Sequence, residues 1–250
     1  MECMEHRRTQ TVGEAALDWA RDSVRSRGFF SSLSYLATQL WYLVRDSMPD
    51  RRRQRFGDID YDCDFGVDTT WARLPLEVRL REVFTERLYQ PTVPEEFSEI
   101  MRQLEAVDFE EYAFIDLGSG KGRTLLLAAM YPFREIIGVE VQPELHEIAV
   151  QNILRFNVPG QECGELEAFC MDAREFQFPD IPLVVYLFNP FPDYVLEQVL
   201  RNLEESVRRK SRSIYVIYNA PFEQQVFAKF DFCCRVTETP MYSIYRASAL

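Results

Sequence analysis

From about Tyr112 to the C-terminus, short apolar runs alternate with amphipathic stretches, and this alternation predicts a parallel sheet covered by helices. The run Tyr112–Leu117 predicts a first strand, followed by a helix over about Arg123–Met130. A second strand is expected over Arg134–Val141 and a helix over Pro143–Arg155, where Pro143 suits the first helical turn. Leu166–Met171 reads as a third strand. Pro182–Phe188 is almost purely apolar and reads as a central fourth strand, since only a strand covered on both faces dispenses with polar alternation. A helix over about Tyr194–Arg208, a strand over Ser213–Asn219 and a short helix over Phe222–Lys229 follow. Two closing runs, Phe230–Val236 and Met241–Ala247, lie too close together for a crossover and are expected to pair antiparallel.

Upstream, Met1 to about Leu104 reads as helices and loops. Glu14–Arg25 is amphipathic. Phe29–Val44 is rich in large apolar residues, with Leu33, Leu36, Leu40 and Leu43 on one face. Ser31, Ser32, Ser34, Thr38 and Gln39 interrupt it and argue against a membrane span. Met48–Asp64 reads as a polar linker. The expected organisation is an N-terminal helical extension over 1–95, with a role as an active-site lid, and a ligand-binding domain over 96–250.

The chain has 250 residues, 47% of them hydrophobic, enough for one α/β core plus an appendage. A net charge of -12 argues against a surface built to grip a phosphate backbone, so nucleic acid is not the expected partner. Six cysteines without a Cys-x-x-Cys pair and two histidines argue against a metal site. The polar N-terminus shows no secretory signal, which makes a cytoplasmic location with reduced thiols the expectation. Residues 1–56 hold ten Arg against seven Asp and Glu, a balance of +3 that leaves -15 for the rest of the -12 chain. Arg51, Arg52, Arg53 and Arg55 directly follow the apolar helix, an arrangement that suits an anionic membrane surface or an acidic partner. Packing on the domain is the more usual fate of such a helix, so peripheral membrane contact is not the favoured reading.

The chemistry concentrates in FIDLGSGKGRTLLLAA, Phe114–Ala129. A strand ends at Asp116, then Gly118, Gly120 and Gly122 recur at alternate positions, with Ser119 between the first two, and an apolar helix begins. Such a turn lets the backbone approach a ligand closely. The spacing differs from the dinucleotide fingerprint Gly-x-Gly-x-x-Gly, which disfavours a nicotinamide-dependent oxidoreductase. The acid at Asp116 would repel a pyrophosphate and suits a ligand bearing an ammonium group. Glu140, about twenty residues beyond the turn, ends the second strand where a carboxylate can accept both ribose hydroxyls; alone it would be a solvated strand-end acid. Asp172-Ala173 follows the third strand, where the acid can accept from an adenine amino group and the Ala173 N–H can meet a ring nitrogen. It also reads as a helix cap, and both roles are compatible. Asn189-Pro190-Phe191 follows the fourth strand. Asn189 can accept from an incoming amine with Phe191 walling off the methyl group, or the segment is a plain strand-ending turn. Phe65–Leu74 (FGVDTTWARL) reads either as a lid or as an ordinary capped turn.

These segments, in this order, resemble the class I methyltransferase family over about Phe97–Leu250: Asp116–Gly122 its first motif, Gly138–Val141 its ribose segment, Cys170–Ala173 its adenine segment and Leu187–Phe191 its acceptor-side motif. The resemblance implies a Rossmann-like α/β fold, a seven-stranded sheet of order 3-2-1-4-5-7-6 with one antiparallel strand, and S-adenosylmethionine as cofactor. The segment YQPTVPEEFSEIM before the first motif resembles the non-SET protein lysine methyltransferases, which places Tyr89 and Pro91 over the methionine end of the cofactor and makes Tyr89, with Asn189, a shaper of the acceptor pocket. Nucleic-acid amino methylases carry Asn/Asp-Pro-Pro-aromatic; here the second proline is missing, which counts against a base acceptor. The expected activity is methyl transfer to an acceptor the sequence does not name, a protein lysine amine being one candidate. A small-molecule methyltransferase and a non-catalytic cofactor-binding module are the alternatives.

Overall fold

The computed structural model describes residues 11–46, 59–70, 74, 76–85, 89–104, 107–188, 190–221 and 224–247. The chain divides into two units, Met1–Pro91 and Thr92–Leu250. The short helix expected from Phe222 is a 3-10 turn over Gln224–Lys229. The arginine cluster 51–55, most of the expected linker and Trp71 lie outside the described residues.

In the first unit, α1 (Val12–Arg27) opens with a capping box: the Thr11 hydroxyl accepts from the Glu14 N–H at 3.2 Å, and Glu14 accepts from the Thr11 N–H at 2.8 Å. Gly28, at φ +80°, ends it and leads into α2 (Phe29–Asp46). The helices meet through a Trp19–Tyr35 stack at 6.2 Å and a Ser23–Ser32 hydroxyl pair at 2.9 Å. Trp19 also touches Phe84 of α4 (Leu76–Thr85) at 6.0 Å.

The end of the expected linker is instead a short helix, α3 (Ile59–Phe65). Its Asp62 is buried and organises the following loop, accepting from the Thr69 N–H, the Thr70 N–H and the Thr69 hydroxyl. The side chain of Asp62 thus caps backbone donors that no regular structure satisfies. Within the stretch expected as a polar linker, one acid thus points inward to hold the loop. Among the described residues no helix is long and apolar enough to cross a membrane.

The second unit begins with α5 (Pro94–Arg102) and holds a seven-stranded sheet of order β3-β2-β1-β4-β5-β7-β6. Its strands are β1 (Ala113–Leu117), β2 (Glu135–Glu140), β3 (Leu166–Cys170), β4 (Leu183–Phe188), β5 (Ile214–Asn219), β6 (Cys233–Glu238) and β7 (Tyr242–Ala247). Among the described residues β7 alone runs opposite to the other strands, which is the topology expected from the resemblance. α6 (Arg123–Ala128), α7 (Pro143–Arg155) and α8 (Asp193–Arg209) cross between strands.

Side-chain alternation sorts the sheet into two faces. Ile115, Leu117, Val185, Leu187, Val216 and Tyr218 join Leu196, Val199 and Leu203 of α8 in one apolar cluster. Phe114, Asp116 and Tyr186 point to the other face, where Phe97 of α5 meets Phe114 at 5.8 Å and Tyr186 at 6.0 Å. Gly138 allows α6 to lie close on β2: a Cβ there would fall 2.6 Å from Leu125 Cδ1 and 2.9 Å from Ser119 Oγ.

Candidate active site

The strand order reverses between β1 and β4, so their carboxyl ends open the crevice where ligands bind in such sheets. The expected residues that are described in the second unit lie along this edge. Gly118, Gly120 and Gly122 all have positive φ, at 88°, 54° and 82°. The turn is stitched to β2 by the Gly118 and Ser119 N–H groups, which donate to the Val139 carbonyl at 2.8 and 3.0 Å. From the far side, the buried Asn152 amide of α7 donates to the Lys121 carbonyl at 2.9 Å. Gly118 is also sterically required: a Cβ there would sit 2.5 Å from Pro190 Cβ. That proximity brings the acceptor-side segment directly against the glycine turn.

Glu140 ends β2 and is buried. Its Oε2 accepts from the Gly120 N–H at 2.9 Å and its Oε1 from the Gln142 N–H at 2.8 Å. Burial pushes its pKa up, and the backbone donors pull it back down. Asp116 is also buried; desolvation first and the nearby Glu140 charge second push its pKa up to about 8, against a Thr124 hydroxyl that lowers it. Two acids so desolvated are costly to keep ionised without a cationic companion.

Asp172 caps the 3-10 turn Ala173–Glu175, accepting from the Arg174 N–H at 2.9 Å. It also holds the Arg174 guanidinium, Nη2 to Oδ2 at 2.6 Å. The cap reading of this residue therefore holds, and Ala173 is buried beside it. Phe191 packs partly buried against the apolar cluster, which gives it a core-packing role at the edge. Asn189 lies outside the described residues. Tyr89, in the first unit, donates its hydroxyl to the Thr69 carbonyl at 2.8 Å.

A second constellation had no counterpart in the sequence reading. The Asn219 amide donates to the Tyr186 hydroxyl at 2.9 Å, Tyr186 meets Thr92 at 3.2 Å, Thr92 meets Thr124 at 2.9 Å, and Thr124 bonds Asp116. Asn219 can only donate through its amide nitrogen, so when Asp116 is ionised each hydroxyl in between donates toward it. All five groups are buried, and desolvation raises the Tyr186 pKa, keeping its phenol protonated. Next to Asn219, Ala220 sits at φ +46°, a conformation that costs a non-glycine residue on the order of 1 kcal/mol. Its N–H donates to the Met241 carbonyl at 2.8 Å and to Asn219 Oδ1 at 3.0 Å, which hold it there. The signals for this network were scattered over residues 92, 124, 186 and 219, and only the β1–β4–β5 register brings them together.

Residues 74–166 match the family model described as histone methylation protein DOT1. No curated protein matches the sequence significantly. Among solved structures, the chain is similar to an RNA methyltransferase from Salinibacter ruber in complex with S-adenosyl-L-homocysteine, with 19% identity over 63% of this chain and 92% of that one and a TM-score of 0.43. It is similar to a ribosomal protein L11 methylase from Lactobacillus delbrueckii subsp. bulgaricus, with 11% identity over 63% and 79% and a TM-score of 0.44. It is also similar to a precorrin 8W decarboxylase from Methanobacterium thermoautotrophicum, with 18% identity over 64% and 93% and a TM-score of 0.45. Likenesses of this degree leave the acceptor open. The chain is a class I S-adenosylmethionine-dependent methyltransferase, and S-adenosylmethionine is its cofactor.

Proposed function

We propose that the enzyme methylates an amine of a protein acceptor. The observation that carries this reading is the match of residues 74–166 to the family model of a histone methylation protein, whose acceptor class is a protein. The charge of the chain supports it: -15 outside the first 56 residues favours a cationic, lysine-rich partner over a polyanion. The acceptor edge of the second unit adds a further argument. β4 passes to α8 through residues 189–192, and β6 turns into β7 through residues 239–241, so these short connections add no enclosing element of their own. Such an edge suits a side chain presented on a large molecule.

The residues present fit the cofactor. Glu140 offers its carboxylate to the ribose hydroxyls, Asp172 and the Ala173 N–H to adenine, and the glycine turn with Asp116 to the amino-acid tail. When bound, S-adenosylmethionine supplies a methyl group on a sulfonium and leaves as S-adenosylhomocysteine. The protein's part is alignment, exclusion of water and acceptance of an unprotonated amine, since a desolvated pocket disfavours the ammonium form. Asn189, Pro190 and Phe191 form the acceptor side in this reading.

The test is incubation of the full chain with radiolabelled S-adenosylmethionine and cell extract, followed by sorting of the label. Label in lysine of protein is the expected result. Label confined to small molecules or to nucleic acid contradicts the protein acceptor, and cofactor binding without any label supports a non-catalytic module.

A further inference from the structure

The helix α2 carries an apolar face that its own unit leaves bare. Phe29, Phe30, Leu33, Trp41 and Val44 are 62, 83, 55, 60 and 55% exposed, and Leu40 is 38% exposed. At 100° per residue these six positions and Ala37 fall within an arc of about 120°. The sequence placed Leu33 and Leu40 with Leu36 on one face and left packing as the usual fate of that face. The structure packs α2 by its other side, through Tyr35 and Ser32 against α1. Ser34 borders the bare arc as an exposed polar residue, with the exposed Thr38 beyond it. Six large apolar side chains in one continuous stripe exceed the scattered exposure that a soluble surface carries without a partner.

The charge around the stripe identifies what covers it. Residues 21–55 hold eight Arg and three Asp, a balance of +5 that leaves -17 for the rest of the -12 chain. The arginines flank the stripe: Arg25 and Arg27 precede α2, and Arg45, Arg51, Arg52, Arg53 and Arg55 end or follow it. We propose that α2 lies in the plane of an anionic phospholipid surface, its apolar face among the acyl chains and the flanking arginines at the headgroups. Phe29, Phe30 and Trp41 near the two ends of the stripe suit the interfacial depth at which aromatic side chains settle. A second copy of the chain fits less well, because each copy brings a strongly acidic remainder to a broad arc rather than to a narrow two-position seam. This inference is independent of the acceptor.

The experiment is co-sedimentation of the full chain with vesicles of phosphatidylcholine alone and of phosphatidylcholine containing phosphatidylserine. The expected result is binding to the phosphatidylserine vesicles about tenfold or more above the neutral ones, weakened by salt. The double substitution Phe30→Ser and Trp41→Ser, at exposed positions, is expected to lower that binding about tenfold while the helical circular dichroism stays unchanged. Substituting Arg51, Arg52, Arg53 and Arg55 by Gln should remove the preference for anionic vesicles. Equal sedimentation with and without phosphatidylserine overturns the proposal. So does wild-type binding in the double variant, or a concentration-dependent dimer that the double variant dissociates without any vesicle binding.

Discussion

The two halves of the sheet's carboxyl edge are chemically unlike. At β1, β2 and just past β3 the chain places an acid each time: Asp116, Glu140 and Asp172. At β4 and β5 it places neutral groups, the Tyr186 phenol and the Asn219 amide, both buried and bonded to each other. The acidic half is suited to a cofactor that carries cationic and donor groups. The neutral half brings no charge that would hold the ammonium form of the proposed amine acceptor. One chain of hydroxyls, Tyr186 to Thr92 to Thr124 to Asp116, joins the two halves across the switch point.

Substitution of Gly118 by Val should have the largest effect on this division. The φ of +88° and the 2.5 Å approach to Pro190 leave no room for a side chain. Loss of S-adenosylhomocysteine affinity by about a hundredfold or more is expected in a protein that keeps its circular dichroism, because the turn must move away from the site. Unchanged affinity would mean that the glycine turn is not where the cofactor sits.

Next comes Glu140→Ala, expected to weaken cofactor binding by about 1–3 kcal/mol, the scale for losing charge-assisted hydrogen bonds. A 2′,3′-dideoxy analogue sharpens this test: the wild type should lose affinity for it, while the variant should bind both ligands alike. An additional loss for the analogue in the variant would show that Glu140 does not hold the ribose.

Tyr186→Phe should act on the fold and on transfer. It strips the Asn219 amide and the Thr92 hydroxyl of a buried partner, which costs about 1–3 kcal/mol of stability. A lower melting temperature with reduced methyl incorporation is expected; a melting temperature unchanged from wild type would mean that the network contributes nothing.

A further effect concerns pH. The Asp116 pKa is raised in the folded state to about 8, from an ordinary value of 3.8, so the folded chain keeps a proton that the unfolded chain gives up. The stabilisation linked to that proton is full below about pH 4 and is lost as pH rises through about 8. Asp116→Asn removes the titration, so the melting temperature of the variant relative to wild type should climb between those limits and level off above them. A difference that is flat across that range would show that Asp116 is not desolvated in the folded protein.

Much of the acidic half was legible in the sequence because its chemistry is local. Asp116, the three glycines and Glu140 follow one another at spacings that strand and turn geometry dictate. The strands themselves showed in their apolar runs, with β4 readable as central from the absence of polar positions. The neutral half was not legible, since Tyr186 looked like one more apolar strand residue and Thr92 like a loop residue. Their partnership depends on which strands are neighbours. Asp62 was hidden for a related reason: in an acidic segment only tertiary structure shows which carboxylate turns inward. The bare face of α2 was beyond the sequence because periodicity shows that a face is apolar and not whether anything covers it.

The division of the edge is tested most directly by calorimetric titration of S-adenosylhomocysteine into the wild type, Glu140→Ala and Tyr186→Phe side by side. Glu140→Ala should lose roughly ten- to a hundredfold in affinity, and Tyr186→Phe should stay within about twofold, since it removes no group offered to the cofactor. A loss in Tyr186→Phe as large as that in Glu140→Ala, or wild-type affinity in Glu140→Ala, would contradict the assignment of the cofactor to the acidic half.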